Sequence, residues 1–192
     1  NLTNDLKLIY QAIATQTIPQ LTPKGTSYRQ WVSMVQHYKD KNLLEKKYWQ
    51  KIVNDYNKIS NINPAMHYTQ QLYYASSCLD EKITEKLLLE ANELLHTEIN
   101  DLLLVALAYT LVDISGNRVN YITLEGHGRE QISPDVDITS TCGWFTTMYP
   151  VRLEINTSSR LSANIKLIKE GLRAIPNKGI GYGALIGYQP KV

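Results

Sequence analysis

Leu2, Leu6, Ile9, Tyr10 and Ile13 recur at helical spacing, so the chain is expected to open within or at the start of an amphipathic helix. Pro19, Pro23 and Gly25 then predict a loop over 15–25. Ser27 and Gln30 form a capping-box pair ahead of a helix carrying Trp31, Val32, Val35 and Tyr38. A third helix is predicted over 43–56, with Leu44, Tyr48, Ile52 and Val53 inward. Its Glu45, Lys46, Lys47 and Lys51 read as a solvated face. The polar run 57–64 ends in Pro64 and suits a linker between lobes.

From His67 the period changes. Residues 67–77 are compatible with a strand, and Asp80 starts a helix to Leu95 with Ile83, Leu87, Leu88, Ala91 and Leu94 as its stripe. Thr97 is positioned to cap a helix over 98–115, which stops at Gly116 and whose apolar run from Leu102 to Val112 predicts burial. A strand over 118–124, a loop, a strand over 144–155, a helix over 158–173 and a glycine-rich end follow. Helices alternating with strands predict an α/β sandwich, a sheet covered by helices. On this reading residues 1–64 are the helical end of one lobe with its linker, and 65–192 are a second lobe built on a mixed sheet.

Composition narrows the function classes. With 192 residues there is room for one ordinary core or for part of a larger two-lobed protein. Twenty basic residues against 18 acidic, net +2, give no electrostatic case for nucleic acid. Cys78 and Cys142 match no metal spacing and read as two buried thiols of a reduced intracellular protein. No signal peptide opens the chain, and the longest apolar run is too short to span a bilayer, so a soluble, cytoplasmic protein without membrane contact is expected.

The chemistry concentrates in two runs, Glu-Gly-His-Gly-Arg-Glu at 125–130 and Thr-Cys-Gly-Trp-Phe-Thr-Thr-Met-Tyr-Pro at 141–150. Glu125 stands at a strand end beside glycines. In a partly dry site such a carboxylate serves as acid or base near neutrality; on a surface it pairs with Arg129. His127 has no second His or Cys at ligand spacing, so no metal is expected, and general base or packed residue both stay open. Arg129 and Glu130 are expected to pair and fix the loop. Trp144, Phe145, Met148 and Tyr149 fit either a core strand or an apolar tunnel wall. Residues 178–183, Lys-Gly-Ile-Gly-Tyr-Gly, lack the spacing of a phosphate cradle and read as tight turns near a cleft.

Four stretches in order, from Asn100 to Gly183, resemble the epimerization domains of nonribosomal peptide synthetases. They are Asp101-Leu102-Leu103-Leu104-Val105-Ala106, the run 125–130, Gly143-Trp144-Phe145-Thr146 with Tyr149-Pro150, and Pro176 with Gly179-Ile180-Gly181-Tyr182-Gly183. The resemblance implies a chloramphenicol-acetyltransferase-like two-lobe sandwich, of which this chain holds the end of the first lobe and most of the second. It implies inversion of the Cα of an aminoacyl or peptidyl thioester carried on the phosphopantetheine of a peptidyl carrier protein, with no cofactor bound by the domain itself. Glu125 becomes one acid/base group, with His127, Arg129, Trp144 and Tyr149 supporting the active site. Gly143, Phe145, Gly181 and Tyr182 line the cleft that receives the thioester arm. The family's other proton-transfer group is a histidine of a His-His-x-x-x-Asp-Gly motif. No such pair exists among His37, His67, His96 and His127, so an N-terminal part of the domain is expected to supply it. The closing Asn-Tyr-Leu-Gly motif is also absent, and Ser140 stands where an Arg commonly precedes the third motif. A non-catalytic carrier- or lobe-docking module and a condensation-type domain forming peptide bonds are the alternatives; the run 125–130 argues against the second.

Overall fold

The computed structural model describes residues 2–21, 23–59 and 74–187. Helix α1 (Leu2–Ala14) forms as its periodicity predicts, but its stripe is not covered: Ala12 is buried while Leu2, Leu6, Tyr10 and Ile13 face outward. Helix α2 (Tyr28–Lys41) starts at the expected capping box. The Ser27 N–H donates to Gln30 Oε1 at 2.8 Å, and the Gln30 N–H donates to Ser27 Oγ at 3.3 Å. Trp31 and Tyr38, seven positions apart, turn inward from it.

Helix α3 (Leu43–Ile59) corrects two expectations. Leu44 is 81% exposed, whereas Glu45 is only 7% exposed. The buried stripe of α3 is Glu45, Trp49 and Ile52 at i, i+4 and i+7, and polar donors around the carboxylate make its burial tolerable. The helix continues to Ile59 through the start of the expected linker, whose remainder lies outside the described residues. So does most of the strand expected over 67–77; residues 74–77 have no regular structure.

Residues 81–95 run as one helix, α4 (Glu81–Glu85) and α5 (Ala91–Leu95) joined by a wider π turn at Lys86–Glu90. Asp80 caps it, accepting from the Ile83 N–H at 2.8 Å. Its far end is capped by cations from a distant helix: Lys169 Nζ donates to the Leu95 carbonyl at 3.3 Å and Arg173 Nη2 to the His96 carbonyl at 3.0 Å. Helix α6 (Ile99–Ser115) is capped by Glu98 rather than Thr97, whose hydroxyl turns back to Asn92 at 3.0 Å. Only one face of α6 is buried, through Asp101, Leu104, Val105 and Ala108. Leu103 and Ile114 are exposed, so the helix lies on the core rather than within it.

Strands β1 (Val119–Gly126) and β2 (Thr147–Glu154) pair antiparallel, and among the described residues they are the whole sheet. Of the mixed sheet expected over 65–192, the described residues show this antiparallel pair. Strand β2 starts later than expected, leaving Trp144, Phe145 and Thr146 in irregular chain. Tyr149, Val151 and Leu153 alternate inward from β2, and α7 (Leu161–Arg173) brings Ile165 and Ile168 onto the same core. Trp31, Trp49 and Tyr38 of the leading helices belong to that core too. Both cysteines are exposed and free, against the expectation of buried thiols. No helix of the described residues is long and apolar enough to cross a membrane.

Two polar contacts join the layers. Asn164, 1% exposed, accepts from the Asn156 N–H at 3.0 Å and donates to Tyr109 Oη at 2.6 Å and to the Asn156 carbonyl at 3.0 Å. Asn164→Ala should therefore lower unfolding free energy by about 2–3 kcal/mol in denaturant titration, and Asn164→Leu should not restore it, because the same groups stay unpaired.

Asp55 on α3 meets the sheet, accepting from Tyr121 Oη at 2.6 Å and Arg152 Nε at 3.3 Å. The tyrosine hydrogen bond, with Arg152 beyond it, holds the Asp55 carboxyl below its ordinary range, while burial and Asp55 push the Tyr121 phenol well up. A depressed carboxyl contributes stability above its unfolded pKa, about 4, and loses it as pH falls. A raised phenol contributes below about pH 10 and loses it as pH rises. Asp55→Asn should accordingly flatten both the acid and the alkaline limbs of the stability–pH curve, measured by thermal unfolding across pH.

Candidate functional site

Glu125 lies one residue from the end of β1, opposite Met148 in the register, while Leu124 opposes the buried Tyr149. Period-two alternation therefore puts Glu125 on the face away from the core. Its side chain is exposed rather than half-dry, and among the described residues no hydrogen bond or ion pair engages it. The pairing with Arg129 that the sequence left open does not form.

Arg129 reaches across the following loop instead. Its Nη1 donates to the Ile138 carbonyl at 2.7 Å and its Nη2 to the Thr141 carbonyl at 3.0 Å, with Cζ 4.0 Å from the Phe145 ring centroid. That geometry replaces the expected Arg129–Glu130 pair: a planar guanidinium satisfies two carbonyls and an aromatic face at once. Glu130 pairs with His127 Nε2 at 3.2 Å and with Lys178 Nζ at 3.8 Å. His127 Nδ1 accepts from the Arg129 N–H at 3.0 Å, so the ring proton sits on Nε2 and points to Glu130. Gly128 adopts φ 67°, and a Cβ there would run into the Phe145 carbonyl.

The segment after the loop is stitched to the approach of α2. Thr141 Oγ1 donates to the Thr26 carbonyl at 2.6 Å, the Thr26 N–H to the Asp137 carbonyl at 2.7 Å, and Tyr28 Oη to the Trp144 carbonyl at 2.8 Å. Gly143 lies against the face of the Tyr28 ring, where any side chain would collide. Phe145 is buried between Tyr28 and Trp31, at ring-centroid distances of 5.1 and 5.8 Å. Trp144, in contrast, is 79% exposed. A cavity of about 780 Å³ opens here, walled by Trp31, Val35, Trp144, Phe145, Met148 and Tyr182. Met148 connects it to Glu125, its cross-strand partner. At its floor, Thr147 Oγ1 is buried with no hydrogen-bond partner among the described residues.

The glycine-rich stretch forms a 3₁₀ turn at Pro176–Gly179 and a π turn at Gly183–Gly187. Gly179, at φ 82°, lies flat against the Tyr149 ring. Burial, and then the Glu130 charge, raise the Tyr149 phenol. Gly181 does not line the cavity: it packs on Glu45 and Tyr38, where a side chain would strike the carboxylate. Tyr182 meets Trp49 edge-on at 5.1 Å. Glu45, expected on a solvated face, is the hub beneath this turn. It accepts from Tyr38 Oη at 2.6 Å, Trp49 Nε1 at 3.0 Å and Asn177 Nδ2 at 3.1 Å. Burial, then this hydrogen bond, push the Tyr38 phenol well above its ordinary value. The signal was present in the spacing, since Glu45 shares its helical stripe with Trp49 and Ile52. Among the described residues no cluster of His, Cys, Asp and Glu could hold a metal.

Comparison with known proteins places this architecture. The Condensation domain family matches residues 2–191. The chain is 39% identical to bacitracin synthase 3 of Bacillus licheniformis over 96% of its own length and 3% of that protein. It is 41% identical to gramicidin S synthase 1 of Brevibacillus brevis over 94% of its length and 17% of that protein. The solved epimerization domain from the third module of tyrocidine synthetase B superposes at TM-score 0.71 with 35% identity, covering 96% of this chain and 42% of that one. The first condensation domain of the CDA synthetase superposes at TM-score 0.59 with 13% identity, covering 91% of this chain and 37% of that one, a likeness of fold alone. The chain thus spans less than half of either solved domain and a small part of the synthetases. By its sequence along almost its whole length and by its fold, it belongs to the condensation-domain family of nonribosomal peptide synthetases.

Proposed function

We propose that the chain is part of an epimerization domain that inverts the Cα of an aminoacyl or peptidyl thioester held on the phosphopantetheine of a peptidyl carrier protein. One observation carries this reading. In the run 125–130, His127, Arg129 and Glu130 are all engaged in holding the loop, while Glu125 alone is left without a partner among the described residues, paired across the strands with Met148, which lines the cavity. Identity of 35% to a solved epimerization domain, against 13–17% to solved condensation domains, supports the same choice.

The chemistry follows from the thioester. Glu125, ionised, takes the Cα proton; the electron pair moves into the thioester carbonyl as an enolate; a second acid returns a proton to the opposite face of Cα. That second group is the histidine which the family carries in its His-His motif, supplied by a segment outside this sequence. The same segment would cover Glu125, which is exposed here, and exclude water from the reacting Cα. Trp144, Phe145, Met148 and Tyr182 offer the apolar wall along which the arm lies. The exposure of Glu125 is also what a non-catalytic carrier-docking module would show, so the decisive experiment measures chemistry and binding separately.

With the N-terminal part of the domain supplied in trans or rebuilt in cis, a carrier-bound L-aminoacyl thioester should take up deuterium at Cα and yield D product on chiral analysis. Glu125→Gln should cut that exchange by about 10²-fold or more while carrier binding holds. His127→Ala should slow exchange much less, through loop geometry. Exchange at the wild-type rate in the Gln variant would remove Glu125 from the chemistry, and carrier binding with no exchange in the wild type would favour the docking module.

A further inference from the structure

Glu45 belongs to none of the motifs, yet it is the most enclosed carboxylate among the described residues. No cation pairs with it there; it is held by neutral donors from three directions, Tyr38, Trp49 and Asn177. Stability alone gives little reason to keep a carboxylate in such a place, because well-packed apolar residues serve as well or better. What the carboxylate does hold is an unusual piece of backbone. Asn177 and Lys178 are consecutive non-glycine residues in the left-handed region, at φ 44° and 49°. Such conformations persist only where the surroundings enforce them. Here the Asn177 amide is gripped by Glu45 and by Tyr38 Oη at 2.5 Å, and Gly179 is pressed on Tyr149. The turn sends Lys178 toward the 125–130 loop, where Nζ lies 3.8 Å from Glu130 Oε2, and Glu130 Oε1 holds His127 Nε2 at 3.2 Å.

We propose that Glu45 is a positioning residue: by gripping Asn177 it sets the left-handed turn that carries Lys178 to Glu130, and through Glu130 it orients the His127 imidazole beside Glu125. Its effect on turnover rests on the epimerase reading; the coupling from Glu45 to His127 does not.

The test uses the full chain with isotope-labelled histidine, the His127 ring signal being identified by its loss in His127→Gln. Glu45→Gln and Asn177→Asp should each move that signal in the same direction as Lys178→Ala. The reversed pair E45Q/N177D should bring it back, because amide and carboxylate then exchange places and the hydrogen bond between them survives. Asn164→Ala, which destabilises the protein away from the turn, should leave the signal in place. If Glu45→Gln does not fold, Asn177→Asp and Asn177→Ala, at an exposed position, ask the same question. The proposal is overturned if the single variants leave the His127 signal at its wild-type position, if Asn164→Ala moves it equally, or if the reversed pair fails to recover it.

In the exchange assay, Glu45→Gln should lower the saturated rate only a few-fold, no further than His127→Ala does, with little change in KM for the carrier, and the reversed pair should recover it. A wild type without exchange but with the coupled His127 shifts would sink the epimerase reading and leave the positioning role standing. A wild type that exchanges, with Glu45→Gln altering neither rate nor His127, would do the opposite.

Discussion

Two paired strands are marginal in water, and β1–β2 holds together because one face is covered by helices. Everything at the site depends on that cover. The strands are not joined by a tight hairpin turn; the chain wanders from residue 127 to 146 between them, so closure must be enforced by other means. Arg129 supplies one tie, its two carbonyl hydrogen bonds drawing 138–141 back to the strand end. Thr26, Tyr28 and Thr141 supply the other, fastening the same excursion to the start of α2. The loop that carries the signature residues is therefore held by the helical region as well as by the sheet, and its order comes from side chains meeting backbone carbonyls rather than from regular secondary structure.

Much of this was legible where the determinants are local. The Ser27–Gln30 capping box, the Asp80 cap and the stop at Gly116 each involve groups within four positions of one another, and all three occur. Features set by distant neighbours were not. The stripe that Glu45 shares with Trp49 and Ile52 was in the spacing, but the donor Asn177 that helps make its burial tolerable lies 132 positions away, and residue charge alone suggested solvent. The direction of Arg129 depends on carbonyls at 138 and 141 that no spacing rule names. Helix α6 misled for the opposite reason: its run of apolar residues is nearly continuous, yet one face packs and Leu103 and Ile114 remain outside. Uniform hydrophobicity carries no record of which side a helix turns inward.

The motif residues divide by physical role. Gly128, Gly143, Gly179 and Gly181 are places where a second chain segment passes too close for any Cβ, against Phe145, Tyr28, Tyr149 and Glu45 respectively. Phe145 and Tyr149 are core, and Trp144 is surface. Glu125, of the charged residues of 125–130, is the one that no hydrogen bond or ion pair holds among the described residues. A glycine-rich pattern that in sequence read as tight turns near a cleft thus also marks dense packing, with four different residues resting directly on bare backbone.

The alternation along β1 ties the buried face of the strand to its exposed face. Leu124 and Glu125 are adjacent, one facing Tyr149 in the core and the other facing out, so a shift of pairing by a single residue would exchange them. An insertion or deletion in either strand that moves the leucine moves the glutamate with it. A change of length in β1 or β2 would thus disturb the core and the exposed face together, whereas a substitution at either position can act on one face alone.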